Sequence, residues 1–337
     1  MSQSHNDEST LRVPDTHAKE YLRRNERIAL ASSTVETYDS HLTEFVNFLD
    51  GRNTSVLDAD FSEVRAFAEK CVRQGNRRST IEGKLSTVGE LYRYIHLRTD
   101  ASQDLSLDPL EFRDIDVSRY RTPEPIERVA LSREEIRRLF DAFDSHRNRL
   151  IATVAVETGL RNSDLRDIRI QDINLDEYEI HVHNPKNSTP YDVPISEDLA
   201  FELDLWMRCH RRGFATAQES QYVFPSHSGV KLRTNGSLNK IITEAAERAG
   251  IQDTIGNSQL TSAQKQAFNT ELEYRQWHRV TVHTLRHSCI TLLEDAGVSL
   301  PYRQLVANHN NAETTQRYSH GGEDIFRIIR EQFRPPR

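Results

Sequence analysis

Cysteine is scarce and scattered. Cys71, Cys209 and Cys289 are odd in number and form no CxxC pair, which argues against a disulfide framework and a cysteine zinc site. Each reads as a small buried apolar residue. Long apolar runs are also missing. None approaches the roughly 20 residues that span a bilayer, so no membrane association is expected. The stretch from Met1 to Glu20 is polar and charged and holds no apolar signal-peptide core, so the expected compartment is the cytoplasm. Internal repeats and low-complexity tracts are absent. Lysine is rare: seven of the 44 basic residues are lysine, so 37 are arginine. Against 51 acidic residues the net charge is -7. Excess acid with scarce lysine resembles proteins adapted to high salt, where counter-ions screen self-repulsion. An acidic body repels a duplex, so nucleic-acid binding here has to come from a local arginine-rich face.

What is there suits a soluble globular protein: 337 residues, 36% apolar, long enough for two ordinary domains. Residues 1–16 read as disordered. Val35, Tyr38, Leu42, Phe45 and Leu49 then form one helical stripe. A second helix is predicted near 62–74 with Val64, Phe67 and Cys71 on its stripe. A third is predicted from Ser79, with Glu82 completing a capping box and Ile81, Leu85, Val88, Tyr92 and Ile95 inward. This predicts a small helical domain over 17–109. Arg73, Arg77, Arg78 and Lys84 cluster at the start of the third helix, either a solvated face or a phosphate-contacting patch. Residues 110–130, with Pro123 and Pro125 and no period, read as a linker.

The second domain is predicted over 131–337. Ser132 and Glu135 form a capping box and Leu131 with Ile136 a hydrophobic staple. Another helix is predicted from about Leu150 to Glu157, ended by Gly159. Tyr178 to His183 alternates, as do Tyr191, Val193 and Ile195, predicting a β-hairpin. After Leu199 the chain reads as mainly helical. Trp206 and Trp277 read as core residues. His181 and His183 alternate on a strand, but no carboxylate or cysteine stands at matching spacing, so no metal is expected.

Four short stretches could carry chemistry. Thr158-Gly159-Leu160-Arg161-Asn162-Ser163-Asp164-Leu165 puts an arginine in a turn between helices. Asn184-Pro185-Lys186-Asn187 puts a lysine at the hairpin tip. His283-Thr284-Leu285-Arg286-His287-Ser288 sets His283 and Arg286 on one helical face. His309 stands nine residues before Tyr318. Taken singly, each reads more simply as a cap, a solvated lysine, a surface pair or a half-buried tyrosine. Together they supply phosphodiester transfer without metal. Two guanidiniums neutralise a phosphorane-like transition state, a lysine protonates a leaving oxygen, histidines move protons, and a tyrosine attacks and holds the phosphate.

These stretches, in this order, resemble the signature of the tyrosine recombinase (phage integrase) family over about residues 30–325. The resemblance implies a mainly α fold with a small β-hairpin, in two domains forming a clamp on double-stranded DNA near the nucleoid. It implies that Arg161 and Arg286 clamp the phosphate, Lys186 is the general acid, His283 a general base, and Tyr318 the nucleophile. It also implies that His309 hydrogen-bonds the phosphate and that Asp164 supports the site. It implies a 3′-phosphotyrosyl intermediate, with no cofactor, ATP or metal. It further implies a homotetramer on two sites, linked by exchange of a C-terminal helix at 324–333 whose stripe is Ile325, Ile328, Ile329 and Phe333. The stretch 251–282 is longer than in compact family members and has no functional reading. The competing readings are a catalytically inactive DNA-binding protein of the same fold and a type IB topoisomerase-like DNA relaxer.

Overall fold

Alternation of apolar residues at helical spacing builds the first part of the chain. The computed structural model describes residues 11–28, 30–109, 112, 115–126, 129–183, 190–260, 265, 270–300, 303 and 336. Within them, α1 (Thr16–Ile28), α2 (Ser32–Asp50), α3 (Phe61–Arg73) and α4 (Arg78–Arg98) form a helical unit. Leu42, Phe45 and Leu49 of α2 meet Val64 and Phe67 of α3 and Ile81, Val88 and Tyr92 of α4 in one apolar core. Each such side chain, fully buried, contributes about 1.5–3 kcal/mol. The Tyr92 hydroxyl is not orphaned, since it donates to the Val56 carbonyl at 2.8 Å. Asp60 caps α3, accepting from Ser62 N at 2.8 Å and Glu63 N at 3.2 Å.

The structure departs from the sequence reading of this unit in four places. Residues 11–15 are ordered. Val13 is buried, and the Asp39 carboxylate accepts from the backbone N–H groups of Arg12 and Val13, each at 3.0 Å. The Ser79–Glu82 capping box does not form. The helix starts at Arg78, with Arg77 at the N-cap, and Glu82 pairs instead with Arg78 at 2.8 Å. Lys84 is buried, ion-paired to Glu44 of α2 at 2.6 Å and donating to Asn76 at 3.4 Å. It therefore does not belong to a DNA-facing patch. Burial, aided by the Lys84 charge, pushes the neighbouring His41 down to about 4. Finally, the helical unit runs on to Ile126, because the 3₁₀ turn Val117–Arg119 buries Val117 in its core. The described residues 115–126 of the expected linker thus belong to the helical unit, with Ile115, Val117 and Tyr120 packed on its core.

The second compact unit comprises Glu127–Gly256 and Trp277–Arg337, while Asn257–Gln276 groups with the first. It opens with α5 (Arg133–Asp141), where the Ser132–Glu135 capping box is present as read. The almost wholly buried α6 (His146–Thr158) is stopped by Gly159 in the left-handed region, φ 62°. Then come α7 (Asn162–Asp167), β1 (Ile173–Asn174), β2 (Glu179–Val182) and β3 (Tyr191–Pro194). The three strands pair antiparallel in the order β1-β2-β3, with Ile180 opposite Val193 and His181 opposite Asp192. A Ser196 cap starts α8 (Glu197–Leu205). Trp206 is buried, its indole donating to the Val223 carbonyl at 2.8 Å. A Thr234 cap starts α9 (Asn235–Arg248), and α10 (Val282–Asp295) lies against α6 in the core.

Between α9 and α10 the described residues include two strands that the sequence reading did not expect. β4 (Thr254–Gln259) and β5 (Tyr274–His278) pair as a two-stranded ribbon within the stretch 251–282. Its strands are mostly exposed and polar, so no alternation marked them. Among the described residues no helix is long and apolar enough to cross a membrane.

Candidate active site

The turn from α6 to α7 is made by its glycine. At φ 62° Gly159 donates its N–H to the Ala155 carbonyl at 3.0 Å, and a Cβ there would lie 3.2 Å from Cys289 Sγ. Only glycine adopts this conformation without strain, and the chain can therefore turn sharply against α10. Two residues on, Arg161 occupies the N-cap of α7, with its carbonyl accepting from Leu165 N at 3.0 Å. Arg166 holds this short helix in place, donating to the Arg233 carbonyl at 2.7 Å and to Asn162 at 3.0 Å.

Arg286 comes from the middle of α10 and is 6% exposed. Its guanidinium donates to the Gly159 carbonyl, which ties the arginine of one motif to the turn carrying the other. Burial lowers the Arg286 pKa, and the charge of Arg161 pushes in the same direction, so the two guanidiniums share one neighbourhood. Asp164 lies beside them, its carboxylate 3.9 Å from Arg161 Nη1. Burial raises the Asp164 pKa, and Ser163, Arg161 and Arg286 only partly oppose that shift. The local field is therefore positive: two guanidiniums face one carboxyl that burial disfavours as an anion. Such a field favours an anion such as a phosphodiester.

A set of tethers fixes α10. Ser288 Oγ accepts from Leu131 N and donates to the Thr284 carbonyl, both at 2.9 Å. Thr284 Oγ1 donates to the Arg279 carbonyl at 2.6 Å, and Arg279 reaches Glu135 of α5 at 2.7 Å. Burial acts to raise the Glu135 pKa, but the Ser132 N–H and the Arg279 guanidinium outweigh it and hold the carboxyl below its ordinary range. Cys289 is fully buried, its thiol pushed up to about 12, and donates to the Glu157 carbonyl at 3.4 Å. On the opposite, exposed face His283 lies 3.0 Å from His287, Nε2 to Nε2.

The structure thus brings Arg161, Asp164 and Arg286 together at the α6–α7 turn, and places His283 beside His287 on the exposed face of α10. Lys186, His309, Tyr318 and the helix expected at 324–333 lie outside the described residues. Arg73 and Arg78 are exposed on the helical unit and Arg77 is half-buried. Sequence reasoning missed the helix-fixing roles of Ser288 and Arg166. Nothing local distinguishes these residues, because their partners are distant in the chain. A cleft of about 180 Å³ beside Asp164 is lined by Asp172, His181, His183 and Lys231. His181 is bound to Asp192 at 2.6 Å and His183 to Asp172 at 2.5 Å. Among the described residues no group of three or more His, Cys, Asp or Glu could hold a metal ion.

Comparison with known proteins gives this arrangement a class. A phage integrase, N-terminal SAM-like domain model matches residues 19–98, and the phage integrase family model matches residues 130–323, more than half the chain. The tyrosine recombinase XerD of Pasteurella multocida is 23% identical over 310 residues, 91% of this chain and 93% of that one. Among solved structures, the Tn1549 transposon integrase in complex with transposon right end DNA shares the fold with a TM-score of 0.64 at 16% identity, over 94% of this chain and 99% of that one. A lambda integrase tetramer bound to a Holliday junction shares it with a TM-score of 0.61 at 17% identity, over 88% of this chain and 76% of that one. The class these matches define is the tyrosine recombinases, enzymes of site-specific DNA recombination. This chain belongs to the phage integrase family.

Proposed function

We propose that the protein cuts and rejoins double-stranded DNA through Tyr318. The tyrosine oxygen attacks a phosphodiester, a 3′-phosphotyrosyl bond forms, and the bond to the 5′ oxygen breaks. Lys186 protonates that leaving oxygen and His283 takes the tyrosine proton. Arg161 and Arg286 balance the charge that grows on the non-bridging oxygens, and His309 hydrogen-bonds the same phosphate. Attack by a 5′-hydroxyl of the partner strand reverses these steps. The bond energy is kept in the phosphotyrosine, so neither ATP nor metal is required. Arg73, Arg77 and Arg78 contact the DNA backbone from the helical unit.

The observation that carries this reading is the meeting of Arg161 and Arg286 at the Gly159 turn, with their charges only partly offset by Asp164. The substrate for its test is a nicked duplex whose binding site the wild-type protein has selected from a random-sequence pool. Arg161→Ala and Arg286→Ala should each lower the cleavage rate by about 3–4 kcal/mol of transition-state stabilisation. Equilibrium binding should fall much less, because many phosphate contacts share it. If binding and cleavage fall equally, the arginines only position DNA.

The working form is a homotetramer on two DNA sites, as in the lambda integrase tetramer on its junction. Its subunits are linked by the segment 324–333, which docks on a neighbouring protomer. The support is chemical: a segment of about ten residues with one apolar stripe is too short to be stable alone and has to bury that stripe.

A further inference from the structure

The HTLRHS stretch holds a second histidine that the mechanism above leaves unused. His283 and His287 stand one turn apart on the same face of α10. Their Nε2 atoms are 3.0 Å apart. The ring planes cross at 87° with centroids 4.5 Å apart, so the rings meet edge to face and are not stacked. The opposite face of the helix is pinned through Thr284, Ser288 and Cys289. Rotating α10 would break those bonds, so the backbone that presents both imidazoles is fixed. A hydrogen bond between two imidazole nitrogens needs one N–H and one lone pair. Two protonated rings would set N–H against N–H and charge against charge. The pair therefore holds at most one extra proton.

We infer that His287 is a positioning residue for His283, sharing a proton with it and thereby selecting its tautomer. The inference rests on the proposed role of His283 as base. When His283 donates through Nε2 to His287, its Nδ1 keeps a lone pair and can take the Tyr318 hydroxyl proton. The Nε2 proton then passes to His287, which becomes the imidazolium, while His283 stays neutral with its hydrogen on Nδ1. Rejoining runs the transfer backwards, and His283 Nδ1–H returns the proton to the tyrosine oxygen. The proton is stored beside the site for as long as the covalent intermediate lasts.

The test uses the full chain with the selected nicked duplex at saturating concentration. His287→Phe removes the nitrogen, and His287→Gln keeps a hydrogen-bonding group that cannot store a proton. Both should slow covalent-complex formation by about tenfold, part of the 10²–10⁴ that a positioned proton-transfer group contributes, with the Kd for DNA unchanged. In the His283→Gln background His287→Phe should add no further loss, because the two act as one unit. In protein carrying isotope-labelled histidine, a nitrogen–nitrogen scalar coupling should link the two Nε2 atoms. A loss of less than about threefold in either variant, additive losses in the double variant, or no coupling in the wild type overturns the inference. If His283→Gln itself cleaves normally, the base assignment fails first, and that result is separate from a failure at His287 alone.

Discussion

Substituting Gly159 by alanine tests whether the α6–α7 turn holds the two arginines. The residue sits at φ 62°, where an L side chain costs about 1–2 kcal/mol. The new Cβ would also lie 3.2 Å from Cys289 Sγ, 3.5 Å from Cys289 Cβ and 4.0 Å from Arg286 Cγ. Cys289 is fully buried and tied to the Glu157 carbonyl, so it cannot swing into open space. Overfilling of this kind adds about 1 kcal/mol or more. Gly297→Ala is the control, since Gly297 has φ 79° and nothing within 4 Å of its added Cβ. Urea unfolding should therefore show Gly297→Ala losing about 1 kcal/mol and Gly159→Ala about 2–3 kcal/mol. Gly159→Ala should also cleave the nicked duplex about tenfold more slowly, because a displacement of a few tenths of an ångström at Arg286 is felt by the reacting phosphate. Equal stability losses in the two variants, with cleavage intact at Gly159→Ala, would refute the reasoning.

Other outcomes follow from the same structure. Lys84→Met leaves the half-buried Glu44 without its partner and should destabilise the helical unit by about 3 kcal/mol, measured by denaturation, while Lys84→Met with Glu44→Leu should recover most of that loss. The salt slope of DNA binding should be unchanged by Lys84→Met and reduced by about one by Arg73→Ala, read by titration at several salt concentrations. Truncation after Gly322 should leave a protein that binds one site but assembles no tetramer on DNA, checked by native gel and light scattering. A truncated protein that still assembles and completes strand exchange would place the tail on its own protomer.

Legibility in the sequence followed the range of the interactions. The α2 stripe, the Ser132–Glu135 box and the Gly159 stop depend on neighbours within a turn or two of helix, and the β2–β3 pairing on a short hairpin, so the chain shows them directly. Arg161, Asp164, His283 and Arg286 were legible as motif members, but the charge cluster of Arg161, Asp164 and Arg286 was not. Burial of Asp164 and the bond from Arg286 to the Gly159 carbonyl join residues more than a hundred positions apart. Lys84 misled for the same reason. It reads as one more base in a basic stretch, and its partner Glu44 lies on another helix. The ribbon at 254–278 carried no signal because its strands are polar on both faces and held by backbone bonds such as Leu260 N to the Glu273 carbonyl at 2.8 Å. The ordered segment 11–15 was hidden because its anchor, Asp39, is an acidic residue on a helix that otherwise reads as solvent-facing at that position.

The central claim is that Tyr318 forms a covalent bond to DNA at an arginine-lined site that works without metal. The most direct measurement incubates wild type and Tyr318→Phe with the nicked duplex in excess EDTA and resolves the products by denaturing electrophoresis. Removing one hydroxyl leaves the fold and DNA affinity intact, so both proteins should shift the duplex equally on a native gel. The account predicts a covalent protein–DNA band for the wild type, undiminished by EDTA, and none for Tyr318→Phe. A covalent band from Tyr318→Phe, or a wild-type band that vanishes with EDTA and returns with zinc or magnesium, would contradict it.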